Sequence, residues 1–257
     1  MKINTKWFIL VLCAFLSLNL YAGDKKSFLK KQFTSESGYK LNYRILYPLN
    51  YSPDKQYPVI LFLHGAGERG NDNEKQLFHG GDMLSAYENR VKYPAIVIAP
   101  QTPKGERWMP INNEWSKFPE HAPMTPSLRS VKELLDCFIA KGMVDTKRIY
   151  VTGLSMGGMG TYDIVCRYPN FFAAAAPICG GVNLNRIAKF EGKTVFSIYH
   201  GGIDPVVPTD FSRDVFSILK KNKVEVRYKE YPGVKHNSWV NAFAEPDFLK
   251  WLFDHSL

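Results

Sequence analysis

KRIYVTGLSMGGMGTYDIVCRYP, residues 147–169, decides how the rest of the chain is read. An apolar, β-branched run (Ile149, Tyr150, Val151, Thr152) leads into Gly153, Ser155 follows two residues later, and Gly157 and Gly158 precede a segment of helical character. The run from Gly153 to Gly157 has the Gly-x-Ser-x-Gly form of a nucleophile elbow, with a strand before it and a helix after it. The glycines are a steric demand. The serine sits on so tight a turn that its backbone is strained, and side chains two residues before and after would collide with the neighbouring chain. Such a turn lifts the Ser155 hydroxyl clear of the sheet and aims the helix N-terminus at the same point. The Met156 N–H is then a natural donor to an oxyanion. The pattern is short, so its weight depends on partners elsewhere in the chain.

The chain has 257 residues, 45% of them apolar, enough for one large α/β domain and long for two small ones. Residues 1–22 read as a secretory signal peptide: Lys2 and Lys6, an apolar run from Trp7 to Leu20, then Ala22 before Gly23. An uncleaved anchor would need about twenty apolar residues, and this run is shorter and broken by Ser17 and Asn19. The expected product is one catalytic domain over residues 23–257, secreted or periplasmic and without stable membrane insertion. It keeps three cysteines, Cys137, Cys166 and Cys179, all in apolar or helical contexts that suit buried small hydrophobes. No spacing resembles a zinc site, and no metal or cofactor is expected. The formal net charge of +9 falls by two when Lys2 and Lys6 leave, and the remaining basic residues are scattered, as on a solvated surface without a nucleic-acid footprint.

Residues 28–49 alternate apolar and polar around Ser37-Gly38, the pattern of a β-hairpin. Val59 to Leu63 is a continuous apolar run that suits a strand buried on both faces, and it ends in the glycine-rich loop His64-Gly65-Ala66-Gly67. The loop after such a strand is where the second oxyanion donor is expected, which assigns it to the Ala66 N–H. Residues 95–100 give another buried strand. The long connection 101–126 carries Trp108 and Trp115, read as an aromatic wall over the site or as packing. Helical spacing over SLRSVKELLDCFIAKG ends at Gly142. Beyond the elbow come strands at 173–178, 194–200 and 224–231, a helix at 211–222 and a terminal helix near 248–253. Strand and helix in alternation imply a mostly parallel sheet wrapped by helices, preceded by an antiparallel hairpin.

Ser155 needs a base, and the base needs a carboxylate to fix its tautomer. With the chain order serine, acid, histidine, His64, His79 and His121 drop out, His255 lies at a chain end and His200 precedes the acid. His236 remains, in a loop after the last strand. Asp204 follows the preceding strand and is backed by Pro205, whereas Asp210 and Asp214 fall at the start of a helix and within it. His64 reads as a residue that orders its loop, and Trp239 as a further contact for substrate.

The blocks VILFLHGAGERG, RIYVTGLSMGGMGTYDIVCRYP, HGGIDPVVP and GVKHNSW resemble the secreted α/β-hydrolase esterases related to feruloyl esterases, acetyl xylan esterases and polyhydroxybutyrate depolymerases, over roughly residues 40–255. The resemblance implies an α/β-hydrolase fold with Ser155 as nucleophile, Asp204 as acid, His236 as base, and Ala66 and Met156 at the oxyanion hole. It also implies an ester-bearing small molecule or polysaccharide as substrate, with acetyl or feruloyl groups expected. Two rival readings stand beside it: a serine peptidase of the prolyl-oligopeptidase type, and a non-catalytic glycan-binding scaffold.

Overall fold

The computed structural model describes residues 23–111 and 117–257; the expected leader, residues 1–22, and Trp115 lie outside the described residues. Eight strands form one sheet: β1 (Leu29–Thr34), β2 (Lys40–Leu46), β3 (Tyr57–Leu63), β4 (Ile96–Gln101), β5 (Val144–Leu154), β6 (Ala174–Ile178), β7 (Val195–Gly201) and β8 (Val226–Tyr231). Their order across the sheet is β1-β2-β4-β3-β5-β6-β7-β8. The first three in that order pair antiparallel and all later neighbours pair parallel. The hairpin expected around Ser37-Gly38 is β1–β2, its turn made by Gly38 at φ 82°. The elbow strand begins at Val144, five residues before the apolar run that announced it.

Helices cover both faces. Those used below are α1 (Gly81–Ser85), α2 (Tyr87–Lys92), α3 (Pro126–Ala140), α4 (Met156–Arg167), α5 (Leu184–Ala188), α6 (Asp210–Lys221), α7 (Trp239–Phe243) and α8 (Phe248–Phe253). Strand side chains alternate between the two faces. Val59, Leu61 and Leu63 of β3 meet Leu128, Val131 and Leu135 of α3 and Ile164 of α4 in one core, while Ile60 and Phe62 meet Phe248 and Leu252 of α8 in the other. A sheet buried on both faces needs unbroken apolar strands, which is why β3 and β4 carry no exposed residue.

At the centre, β5 runs into Ser155 and α4 without a linker. Ser155 has φ 53° and ψ −116°, a conformation costing a non-glycine residue about 1–3 kcal/mol. Main-chain contact holds it: a Cβ at Gly157 would lie 1.9 Å from the Leu63 carbonyl oxygen, and one at Gly153 would lie 2.5 Å from the Gly157 oxygen. The end of β3 and the first turn of α4 therefore touch backbone to backbone. Gly157→Ala is expected to destabilise the fold by about 3 kcal/mol or more, because no flexible side chain can yield. Urea unfolding checks this, and a wild-type midpoint would mean that β3 and the elbow can part.

Candidate active site

The three side chains of the expected triad sit beyond the carboxyl ends of parallel strands, where an open α/β sheet binds its ligands. Ser155 follows β5, Asp204 lies in the loop after β7, and His236 lies between β8 and α7. The loops after β7 and β8 are laced together: Gly202 N–H donates to Tyr231 O at 2.8 Å and Ile203 N–H to Val234 O at 3.1 Å. A Cβ on Gly201 would stand 2.1 Å from Lys235 O, so a glycine is required for the His236 loop to cross at this height.

The three residues meet. His236 Nε2 is 2.8 Å from Ser155 Oγ, and His236 Nδ1 is 2.7 Å from Asp204 Oδ2. With the carboxylate as acceptor, Nδ1 carries the proton and Nε2 is left to accept from the serine hydroxyl. Asp204 Oδ1 takes the Val206 and Val207 N–H groups at 2.8 and 3.0 Å. Burial acts to raise the Asp204 carboxyl, and the donors from His200, His236, Val207 and Val206 outweigh it, so the group is held well below the usual carboxylate range. The Ser155 side chain does not cap α4, which leaves its hydroxyl to the imidazole.

Ala66 opens a short 3₁₀ turn, Ala66–Glu68, whose N-cap Gly65 offers no side-chain acceptor, and it lines the same cleft as Ser155 and His236. Met156 is the first residue of α4 and is fully buried. His64 orders the loop as its sequence suggested. Its Nε2 accepts from Thr102 N–H at 3.1 Å, which puts the proton on Nδ1, where it donates to Gly65 O at 2.6 Å. Burial pushes the His64 imidazole down to about 4.

The cleft beside Ser155 encloses about 320 Å³ between Leu154, Val206 and Trp239, with Glu68 and His79 at its polar end. Trp239 meets the His236 ring edge-on with centroids 5.5 Å apart, and the His79 ring packs 4.9 Å from that of Trp239. Trp108 is a correction. It is fully buried, donates from Nε1 to His64 O at 2.9 Å and packs edge-on against the His64 ring, so it supports the loop from behind and offers no face to a substrate. Nothing in the connection's proline-rich sequence marks that indole as core. Glu68 and His79 line the cleft although neither belongs to a spaced motif in the sequence.

Cys137, Cys166 and Cys179 are all free thiols. Cys179 is fully buried beside Asp204 and His236, and burial pushes its thiol up to about 12. No helix among the described residues is long and apolar enough to cross a membrane.

A mostly parallel sheet with a strained serine between its central strand and the following helix defines an α/β hydrolase, here a carboxylic-ester hydrolase. Residues 50–250 match the phospholipase/carboxylesterase family, and the chain belongs to it. It is similar to "Probable feruloyl esterase C" of Aspergillus oryzae, 29% identical over 242 residues that cover 91% of this chain and 82% of that protein. A carboxylesterase of Arabidopsis thaliana is 25% identical over 195 residues, covering 69% of this chain and 82% of that one. Among solved structures, one described as a thermostable esterase superposes with a TM-score of 0.80 at 33% identity. That match covers 90% of this chain, which spans 64% of the other's length.

Proposed function

We propose that this chain is a secreted serine esterase that removes acetyl or feruloyl groups from plant polysaccharide through a Ser155–His236–Asp204 triad. The observation that carries the reading is the unbroken line from Asp204 Oδ2 through His236 to Ser155 Oγ, with links of 2.7 and 2.8 Å. Ser155 Oγ attacks the acyl carbonyl carbon while His236 Nε2 takes its proton. The N–H groups of Ala66 and Met156 receive the oxyanion, collapse expels the alcohol with the proton from His236, and water repeats the sequence to release the acid. The leader-like residues 1–22 support secretion, and the names of relatives support the acyl groups.

Two experiments test the proposal. A fluorophosphonate should label the protein at Ser155 with one-to-one stoichiometry and stop turnover. A panel of acetylated and feruloylated oligosaccharides should include a substrate, and turnover of neither class would remove the carbohydrate-esterase reading.

The pH profile follows from the carboxyl's position. Because Asp204 stays ionised as the medium is acidified from neutrality, the loss of rate on the acid side reports the imidazole. A protonated His236 cannot accept the serine proton, so kcat/KM should fall as pH drops from 8 toward 5. A flat rate across that interval would mean that another group is the base.

A further inference from the structure

His200 is fully buried at the end of β7, four residues before Asp204, and the two-step acyl transfer gives it nothing to do. Its Nε2 lies 3.0 Å from Val207 O and 3.2 Å from Asp204 Oδ2. A carbonyl oxygen can only accept, so Nε2 carries the proton and shares it between that carbonyl and the carboxylate. Nδ1 faces Ser212 Oγ of α6 at 2.7 Å, which fixes the ring's rotation. Asp204 thus takes two backbone N–H groups on Oδ1 and the His236 Nδ1–H on Oδ2, while the His200 Nε2–H, directed mainly at Val207 O, stands 3.2 Å from the same Oδ2 and helps to lower the carboxyl.

We infer that His200 is a positioning residue for the acid: its Nε2–H holds Asp204 Oδ2 in line with His236 Nδ1 and shares the carboxylate's charge, so that Asp204 orients His236 without holding its proton too tightly. The inference rests on the Ser155–His236–Asp204 reading. The second donor sets a balance. A carboxylate with one donor fewer attracts a protonated His236 more strongly, so that imidazole would keep its proton to higher pH and act as a poorer base at neutrality.

The other titratable groups facing the pair do not take over this part. The Cys179 thiol, after β6, is neutral because burial raises it, and burial raises the Tyr162 hydroxyl of α4 as well. Glu230 of β8 is paired with Arg213 of α6 at 2.8 Å. Glu68 and His79 face each other, with His79 Nε2 3.8 Å from Glu68 Oε1, and His79 packs on Trp239.

The test compares His200→Leu, His200→Gln and Ser212→Ala with wild type in p-nitrophenyl acetate hydrolysis, with kcat expressed per serine titrated by fluorophosphonate. His200→Leu should lower kcat by about tenfold to a hundredfold with KM within about twofold, as for loss of a hydrogen bond to a charged group. The acid limb of kcat/KM should move up by about half a pH unit or more. Gln, whose amide nitrogen can donate from near the position of Nε2, should recover kcat to within about threefold of wild type. Ser212→Ala frees the ring's rotation and should lower kcat about threefold or more, with the limb moved the same way. It replaces His200→Leu as the deciding variant if the latter does not fold. Wild-type kcat per titrated site with an unmoved limb would overturn the inference, as would a loss equal at every pH that Gln does not rescue. If the wild-type serine is not labelled, or Ser155→Ala retains turnover, the triad reading itself falls and the inference falls with it, before any His200 variant is compared.

Discussion

Replacing Ser155 by alanine should lower kcat for p-nitrophenyl acetate by on the order of a million-fold, the loss seen when a nucleophile is removed from a serine triad. No neighbour can substitute. The hydroxyls of Ser238 and Ser212 are buried, and the Cys179 thiol is both buried and held neutral. The fold should survive, since alanine meets the same backbone demand at φ 53° that serine already meets, and the lost hydroxyl leaves only its bond to His236 behind. Circular dichroism and a melting curve of the variant separate lost chemistry from lost structure. Equal rates for the two proteins would exclude Ser155 as nucleophile, and a folded, inactive variant would exclude the scaffold reading.

Asp204→Asn should cost about ten-thousand-fold in kcat, because it inverts the tautomer of the base. The amide oxygen of an asparagine would stay on the Val206 and Val207 N–H groups, which need an acceptor. Its NH₂ would then face His236 Nδ1, and the imidazole answers by accepting there and placing its proton on Nε2, opposite Ser155 Oγ. A base with its proton on the wrong nitrogen cannot take another from serine. The same NH₂ would also meet the His200 Nε2–H, so some loss of stability should accompany the loss of rate. Stopped-assay kcat with a urea curve on the same sample checks both, and a rate within tenfold of wild type would show that Asp204 does not set the tautomer.

The architecture was legible because its signals are local. An apolar, β-branched run as short as Val59 to Leu63, ended by a glycine-rich loop, suits a strand buried on both faces better than a helix, and Gly153 and Gly157 declare a turn that other residues cannot make. The meeting of Ser155 with His236, 81 positions apart, was reachable because each follows a strand and parallel strands deliver their ends to one edge. The sequence leaves Trp108 open between a wall over the site and packing for the opposite reason. Its connection carries proline and polar residues, and only the folded path, which lays the indole against His64 and Gly160, makes it core. His200 could be discarded as a base by chain order, but its contact with Asp204 depends on the curl of the loop between them.

β8 is one of the sheet's two edge strands, with β7 as its only partner in the sheet, while β5 is flanked by β3 and β6. The proton acceptor we propose, His236, therefore follows an edge strand, and the proposed nucleophile, Ser155, follows a strand held on both sides. Mild heating that frays this edge should separate the two while the interior stays intact, so activity followed during a slow thermal ramp is expected to fall below the melting midpoint and to return on cooling.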